Sequence, residues 1–496
     1  MNTSSVTIPT PIEPSRIPPR LNYRYDAFHN REDVLKDIAE RIKLLQQGRE
    51  IKNSLILAWG VQGVGKSWLL QHLEHKYRFI APKNSSKGVF ALYTDFRTFE
   101  PGPGAAARLL GGFVDSLQGR LSADIGFPHA TVERFRKQQT TAVDDQVLAE
   151  TFTSILEALS TRYVPLGLLD AFDTLQSADE KFFSWFEQWI LAPWLQRDRS
   201  LVVLASRREL RQLRQFEVRR RLTRVPLAPF DRSATIKQLG GDVVAGTTLY
   251  PMTFGHPLTT WYVHEKLDAR RKIDQPFDQA FVDTRRDDVA NLLDQVIESL
   301  LQDAPPSLRP RIIAAATLRA FHIDSLREIL ASIEHNPDLS NESDVYIQAI
   351  IEEFVRSNLV RWSMQKRAYE VDDTVRRLVN RALELQNLEE YVYRHEMAYE
   401  VYRKRIADTP WSSNVDVFIV EAIYHLAEIV RAELSRQRQV EERFEALLQH
   451  AFTRPPDAQR IDTLGHLLEG DKEIQELAPQ FLIHLLENQF PRTQAA

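Results

Sequence analysis

Short apolar runs alternate with longer amphipathic segments in the first half of the chain. The runs have the length of buried strands, and they lie at residues 54–59, 88–96, 163–170, 201–206 and 222–230. Between them, apolar residues recur at helical spacing, as at Val34, Leu35, Ile38, Ile42 and Leu45. Asn30 is expected to cap this first helix. Strands that alternate with helices predict a three-layer α/β domain with a mainly parallel, five-stranded sheet.

The pattern changes after about residue 234, where helical periodicity continues without a convincing strand run until residue 359. Helical segments at 311–321, 325–333 and 345–356 precede short strand runs at 359–362 and 368–371, and another helix starts at Thr374. Three helices followed by a β-hairpin are typical of a winged-helix domain. Residues from about 383 to 496 predict helices only.

A glycine-rich loop joins the first strand run to the next helix. Its spacing, G-x-x-x-x-G-K-[ST] between a strand and a helix, is that of a phosphate loop. Glycines let backbone N–H groups curl around phosphate oxygens, and the helix N-terminus adds positive potential. Glycine is scarce in this chain, at 18 of 496 residues, which argues against an accidental glycine-rich turn. We expect nucleotide contacts from Gly60, Gln62, Gly63, Val64, Gly65, Lys66, Ser67 and Trp68.

Two of these residues carry side-chain chemistry. Lys66 can reach the β- and γ-phosphates, and the Ser67 hydroxyl can ligate Mg²⁺. A second magnesium-organising carboxylate is expected at the end of a neighbouring strand, where Asp170 stands. The alternative is a strand that runs into an Asp-rich turn of no catalytic importance.

Hydrolysis needs a group that orients water near the γ-phosphate. Ala171 directly follows Asp170 and cannot supply one, which leaves Asp173 as the close candidate. Slow hydrolysis, suited to a timer rather than a motor, is therefore predicted. Arg207 follows the fourth strand run and can point at the γ-phosphate.

Composition and charge narrow the possible functions. The net charge of −5 argues against bulk electrostatic binding to nucleic acid and leaves a local patch open. The chain has no cysteine, which excludes disulfides and thiol catalysis and fits a reducing compartment. Without an apolar run long enough to span a membrane or a signal-peptide pattern, a cytoplasmic protein is the expectation. Eight arginines between 207 and 224 form either a basic stripe or a solvated, charge-rich helix, and interspersed acids favour the helix.

The order of these motifs resembles the STAND class of signal-transduction ATPases, which are related to NACHT and NB-ARC switch ATPases, archaeal P-loop ATPases and AAA+ proteins. The resemblance covers roughly residues 26–380. Residues 28–32, FHNRE, resemble the family opening that lies over adenine, which implies nucleotide contacts by Phe28, Asn30 and Arg31. The phosphate loop is Walker A, and residues 168–173 resemble the NACHT form of Walker B. Residues 204–207 resemble sensor 1, and Pro257 falls in a G-x-P motif whose proline packs against adenine.

The chain also departs from that family. Thr174 follows Asp173, so the acidic pair of the NACHT pattern is reduced. Asp372 stands where the family has a histidine that touches the β-phosphate of ADP, and a carboxylate would repel that phosphate. Only 25 residues precede the region of resemblance in the sequence, and we expect no effector domain of the family's kind among them.

The resemblance and the periodicity together imply a division of the chain. A flexible, proline-rich arm is expected at 1–25, a P-loop domain at 26–232 and a helical domain at 233–302. A winged-helix domain at 303–382 and a helical sensor or docking region at 383–496 complete the expected order.

An ATP-dependent regulatory switch is the function that the resemblance implies. ADP would hold the modules closed, and ATP with Mg²⁺ would promote opening and self-association, with a protein effector acting in trans. The alternative is a DNA-associated ATPase, an initiator or transcription regulator, that uses its winged helix on DNA. The expected recognition helix at 344–357 opposes this alternative because it is mainly acidic. A metabolic kinase is the weakest hypothesis, since no acceptor site is evident.

Overall fold

The computed structural model describes residues 23–24, 28–83, 86–141, 144–196, 199–210, 213–272, 275–364, 366–408, 415–433, 442–443 and 458–477. Two compact units contain these residues. One extends from Arg20 to Trp261 and is called the N-terminal unit, and the other includes Tyr262–Ala496 and is called the C-terminal unit. Apart from Tyr23 and Arg24, the predicted arm at 1–25 lies outside the described residues. The five domain boundaries inferred from the sequence stay predictions.

A six-stranded sheet forms the centre of the N-terminal unit. Its strands are β1 (Leu55–Trp59), β2 (Phe79–Ile80), β3 (Gly88–Asp95), β4 (Tyr163–Asp170), β5 (Leu201–Ser206) and β6 (Leu222–Pro226). The strand order is β2-β3-β4-β5-β1-β6, and only the β2–β3 pairing is antiparallel. The predicted parallel strands are confirmed. The additional β2 is two residues long, too short for a period-two pattern to reveal.

Helices cover both faces of this sheet. The helices that begin in this unit are α1 (Glu32–Gln46), α2 (Lys66–Tyr77), α3 (Ala105–Leu121), α4 (His129–Thr140), α5 (Asp145–Ser160), α6 (Phe172–Ala178), α7 (Glu180–Phe186), α8 (Ala192–Gln196), α9 (Phe216–Arg219), α10 (Arg232–Gln238), α11 (Val243–Thr253) and α12 (Pro257–Asp268). Alternation along β1 divides the core, with Leu55 and Leu57 packed on the side of α3 and α5. Ile56 and Ala58 pack on the side of α1 and α2. The three-layer α/β prediction is confirmed.

Two local predictions in this unit are wrong. Asn30 does not cap α1, because it has a φ of 50° and the N-cap position is Arg31, which makes no side-chain cap hydrogen bond. The charge-rich helix expected at 207–224 is restricted, among the residues described there, to Phe216–Arg219. Among the described arginines of this segment, Arg214 pairs with Glu180 and Arg224 pairs with Glu209, so acids neutralise part of the basic stripe.

The C-terminal unit is mainly helical. Its elements are α13 (Gln279–Asp283), α14 (Arg286–Leu300), α15 (Arg309–Ala315), α16 (Ile323–Ile333), α17 (Asp344–Arg356), β7 (Val360–Ser363), β8 (Ala368–Val371), α18 (Asp373–Gln386), α19 (Leu388–Asp408), α20 (Val415–Ala432), α21 (Ala458–Gly470) and α22 (Lys472–Leu477). The antiparallel β7–β8 hairpin, called the wing below, follows α15 to α17 in the predicted winged-helix order. α15 ends at Ala315 and not at the predicted residue 321, and Phe321 instead forms a backbone bridge to Tyr369 of the wing. None of the described helices combines the length and apolar character needed to cross a bilayer.

Buried charges tie α20 and α22 to the winged-helix segment. Arg319 has a side chain only 6% exposed, and its guanidinium donates to both carboxylate oxygens of Glu421 at 3.0 Å and to Asp471 at 2.6 Å. Arg376 pairs in the same way with Glu473 at 2.6 Å and donates to the Tyr424 hydroxyl at 2.9 Å. Because buried charges need close partners, these pairs hold the C-terminal helices in place.

Asp372, at the position of the family histidine, has a structural function here. Its carboxylate accepts hydrogen bonds from the N–H groups of Thr374 at 3.0 Å and Val375 at 3.4 Å, so it caps α18. Burial raises the pKa of this carboxyl group.

Candidate nucleotide-binding site

The carboxyl ends of the parallel strands bring the predicted site residues together. β5 lies between β1 and β4, and the strand register pairs Trp59 with Ser206 and Asp95 with Asp170. The loops that follow these strands therefore converge at one edge of the sheet. Ligand sites in open α/β sheets form at such an edge, where neighbouring strands send their chains in different directions.

The phosphate loop has the backbone that its glycines permit. Gly63 and Gly65 have φ values of +83° and +101°, a backbone conformation that residues with a Cβ rarely adopt. α2 starts at Lys66, directly after Gly65. The first N–H groups of a helix have no acceptor within the helix, so this end of α2 suits an anion. A Cβ on Gly60 would lie 2.9 Å from the Leu227 carbonyl oxygen, which accounts for glycine there.

Lys66 lies on this loop with its ammonium group almost buried. Its Nζ donates to the carbonyl oxygens of Gly60 and Val61, each at 2.7 Å. Burial lowers the pKa of Lys66 to about 8, and the nearby charges of Asp173 and Asp170 oppose that decrease. The lysine and both predicted acids therefore belong to one electrostatic site.

The structure brings Ser67 and Asp170, the two predicted Mg²⁺ ligands, into contact. The Ser67 hydroxyl donates a hydrogen bond to the Asp170 carboxylate, and burial raises the pKa of Asp170. A hydroxyl and a carboxylate beside a phosphate cradle are oxygen ligands of the kind that Mg²⁺ prefers. The residues present thus fit a magnesium–nucleotide complex.

Arg97 is a member of this site that the sequence analysis missed. It follows β3, and its Nη2 donates to Oδ2 of Asp170 at 2.7 Å while the same guanidinium holds Asp95. The Tyr93 hydroxyl donates to the same Asp170 oxygen at 3.3 Å. The available signal was a charged pair at the end of a strand run, but only the register of β3 beside β4 assigns Arg97 to Asp170.

Asp173 and Arg207 form the second acid–arginine pair. The Arg207 Nε donates to Asp173 Oδ2 at 2.8 Å, and its backbone N–H lies 3.2 Å from Oδ1. The Asp173 side chain is 2% exposed, whereas that of Arg207 is 30% exposed. Both predicted residues therefore lie beside Lys66, paired with one another.

The residues expected over adenine have protein partners in this structure. Phe28 stacks on His72 of α2 with ring centroids 4.3 Å apart. Arg31 donates to the carbonyl oxygens of Val64 at 2.9 Å and Ala228 at 2.8 Å, and burial lowers its pKa to about 10. Arg31 thus braces the phosphate loop against the segment after β6. A direct adenine contact by Phe28, Asn30 or Arg31 stays a prediction.

His256 also contacts the phosphate loop, and sequence analysis assigned it no function. Its Nε2 lies 2.8 Å from the Gln62 carbonyl oxygen and its Nδ1 lies 2.6 Å from the Thr259 hydroxyl. A carbonyl only accepts, so Nε2 carries the proton and Nδ1 accepts from Thr259. Burial lowers the pKa of His256 to about 4, which keeps the ring neutral. Pro257 is buried as the first residue of α12, and its packing against adenine stays a prediction, as does a nucleotide contact by Trp68.

Solved structures with a similar fold are P-loop ATPases. A Walker-type ATPase of Pyrococcus abyssi matches with a TM-score of 0.49 and 13% identity, over 73% of this chain and 98% of that chain. The Aeropyrum pernix ORC1 protein in complex with DNA matches with a TM-score of 0.34 and 14% identity, over 74% and 95%. The Thermotoga maritima RuvB Holliday junction branch migration motor matches with a TM-score of 0.34 and 12% identity, over 71% of this chain and 96% of that chain. No protein-family model and no curated protein matches the chain. With TM-scores below 0.5, these likenesses do not decide between functions.

Proposed function

We propose that this protein is an ATP-binding P-loop ATPase that hydrolyses ATP slowly and works as a conformational switch. One observation carries the proposal: Lys66, Ser67 and Asp170 converge beside a glycine-rich helix start, and His256 binds the same loop. The first three residues match the needs of a magnesium–triphosphate complex. His256 gives the loop a direct connection to the start of α12.

The division of work among the side chains follows from their positions. Lys66 and the N–H groups at the start of α2 hold the phosphates, while Ser67 and Asp170 hold Mg²⁺. When bound, Mg²⁺ neutralises charge on the phosphate oxygens. Asp173 orients water. Once the Arg207 guanidinium separates from Asp173, it can pair with the γ-phosphate.

Slow turnover has a physical reason in this arrangement. Both carboxylate oxygens of Asp173 already accept hydrogen bonds from Arg207, so a water molecule must compete with a charge-assisted pair. Ala171 offers no second acid, and its backbone N–H is bound to Asp170 at 2.8 Å. A site of this kind suits a timer more than a motor.

The switch itself requires that ATP and ADP bind two arrangements with different affinities. The segment 255–258 packs directly on Gln62 and Gly63, since the Leu258 N–H donates to the Gly63 carbonyl oxygen at 3.3 Å. A conformational change in the phosphate loop would therefore displace the residues at the start of α12. We further propose that the ATP state self-associates and signals through a partner protein.

Nucleotide retention and mass in solution test this proposal. Purified protein is analysed for bound nucleotide, and its mass is measured with ADP and with a non-hydrolysable ATP analogue. Lys66→Ala should lose nucleotide and assembly, whereas Lys76→Ala, a charge removal on the same helix, should behave like the wild type. If Lys66→Ala changes neither property, the switch proposal is wrong.

A DNA-associated ATPase is the second candidate, and the wing favours it. Arg361, Trp362, Lys366 and Arg367 are exposed there. Glu370 pairs with Arg361 and Lys366, so the wing keeps a smaller net positive charge beside an exposed aromatic ring, a combination that suits a nucleic-acid backbone and bases. Helix α17 opposes it, because Asp344, Glu352 and Glu353 lie on its exposed face. The DNA named for the ORC1 structure carries no argument here at that TM-score.

A salt-dependent mobility-shift assay with duplex DNA separates the two candidates. Binding that weakens with salt and is abolished by Arg367→Glu would support the DNA function through the wing. Absence of binding at low salt would remove this second candidate.

A further inference from the structure

The environment of Asp170 contains a charge that competes with Mg²⁺. Arg97 donates from Nη2 to Asp170 Oδ2 at 2.7 Å and to Asp95 Oδ2 at 2.7 Å, and from Nε to both Asp95 oxygens at 2.8 and 3.0 Å. Asp95 and Asp170 face one another in the register of β3 and β4. One guanidinium therefore spans the two strand ends, and Asp95 binds it through both oxygens.

Asp170 is held by four donors within the described residues. Besides Arg97, these are the Tyr93 hydroxyl at 3.3 Å, the Ala171 N–H at 2.8 Å and the Ser67 hydroxyl. A metal ion or its bound water needs a lone pair on the same carboxylate. A cation on Oδ2 therefore competes electrostatically with Mg²⁺ for Asp170.

Arg97 is the partner in this pair that can move. The Asp170 side chain is 2% exposed and fixed at the end of β4, whereas the Arg97 side chain is 29% exposed. The guanidinium can leave Asp170 without leaving Asp95, which keeps it close to the phosphate loop. Asp170 also accepts a hydrogen bond from Ser67 at the start of α2, so a guanidinium on Asp170 lies beside the place where the phosphates would bind.

We propose that Arg97 stays hydrogen-bonded to Asp170 until Mg²⁺ binds, and that its guanidinium then pairs with the terminal phosphate of ATP. This inference rests on the proposed function, that the loop binds ATP. Magnesium alone must break a charge-assisted hydrogen bond, and ADP offers no γ-phosphate to receive the freed guanidinium. ATP offers one, so Mg²⁺ and the third phosphate bind together. Arg97 thereby gives the site a higher affinity for ATP than for ADP when Mg²⁺ is present.

Dissociation constants for fluorescent ADP and for a fluorescent non-hydrolysable ATP analogue test this inference. Each is measured in excess EDTA and in excess Mg²⁺ for the wild type, Arg97→Ala, Arg97→Lys and Arg108→Ala. Arg108 is the matched control because its guanidinium binds the Pro103 and Glu100 carbonyl oxygens instead of a site carboxylate. Thermal unfolding of each variant without ligand shows that the chain is folded.

In Arg97→Ala, Mg²⁺ should tighten ADP binding roughly tenfold more than it does in the wild type, because Asp170 is released. The ATP analogue in Mg²⁺ should bind roughly tenfold more weakly, because the γ-phosphate loses a charged partner. The preference for ATP in Mg²⁺ should therefore collapse. Arg97→Lys keeps the charge without the planar fork and should lie between the two, and Arg108→Ala should match the wild type.

The outcomes separate this inference from the proposed function. Equal loss of affinity with and without Mg²⁺, or no change in the magnesium effect, would overturn the inference and leave Arg97 as a brace for Asp95. Should Arg97→Ala fail to fold, Arg97→Gln gives the same comparison with the side-chain volume retained. Wild-type protein that binds neither nucleotide would overturn the proposed function instead.

Discussion

Replacing Gly63 by alanine tests whether the segment 255–258 packs on the phosphate loop. A Cβ added at Gly63 would lie 2.7 Å from His256 Cε1 and 2.7 Å from Leu258 Cβ. Both distances are shorter than any ordinary carbon–carbon contact. Gly65→Ala is the matched control, because a Cβ there would meet no atom within 4 Å.

The magnitude follows from adding two terms. Both glycines have positive φ, so each alanine costs about 1–2 kcal/mol of backbone strain. Only Gly63→Ala also overpacks a neighbour, and overpacking typically adds about 1–3 kcal/mol. The two variants should therefore differ by about 2 kcal/mol in free energy of unfolding, or about 5 °C in Tm for a unit of this size.

Calorimetry on the full-length variants without nucleotide measures this difference. Hydrogen exchange detected by mass spectrometry adds a local readout, since amide exchange at the start of α12 should accelerate in Gly63→Ala only. Equal losses of stability in the two variants, with unchanged exchange at residues 256–260, would refute the packing of this segment on the loop. The proposed connection between the phosphate loop and α12 would then be lost as well.

Three further predictions concern other parts of the chain. Burial holds the pKa of His256 at about 4, below its value in the unfolded chain, so the free energy of unfolding should fall by about 3 kcal/mol between pH 7 and pH 4. Denaturant unfolding of His256→Gln should depend less steeply on pH than that of the wild type, and the same pH dependence in both proteins would contradict this prediction. Asp173→Asn should slow ATP hydrolysis while nucleotide affinity stays within about threefold, and lost binding would make Asp173 a structural residue. Arg319→Met should cost about 3–5 kcal/mol in urea unfolding because it leaves buried carboxylates unpaired. Arg403→Met, whose Glu400 pair is solvent-exposed, should change stability by less than about 1 kcal/mol, and equal effects of these two changes would contradict the structural importance of the Arg319 cluster.

Periodicity predicted the parallel strands because burial on both faces makes them continuous apolar runs, a property each run shows by itself. The helices before the wing were predicted from their helical periodicity, and the wing from two short strand runs that follow them. The two-residue strand β2 escaped because it is defined only by its antiparallel pairing with β3. The cap expected at Asn30 failed because capping depends on backbone conformation, and Asn30 has positive φ.

The contacts of the arginines are the clearest example of what local sequence pattern could not predict. A run of like charges predicts a solvated face, yet Arg207 is paired with Asp173 from the chain after β4. Arg97 was missed because its partner Asp170 stands 73 residues away in sequence. His256 was missed because its hydrogen bond to Gln62 spans 194 positions. Each contact depends on which distant segments the tertiary fold brings together, and sequence spacing does not contain that information.

The phosphate loop could be recognised from the sequence alone, since its glycines, Lys66 and Ser67 lie within eight consecutive residues, 60–67, and their chemistry is set by local backbone geometry. It also placed Asp170 and Asp173 at the end of a buried strand. The pairing of those acids with Arg97 and Arg207, and the packing of residues 255–258 on Gly63, depend on the tertiary fold. The fold brings residues that are distant in sequence within a few ångströms, and hydrogen bonds and packing contacts form only over that distance.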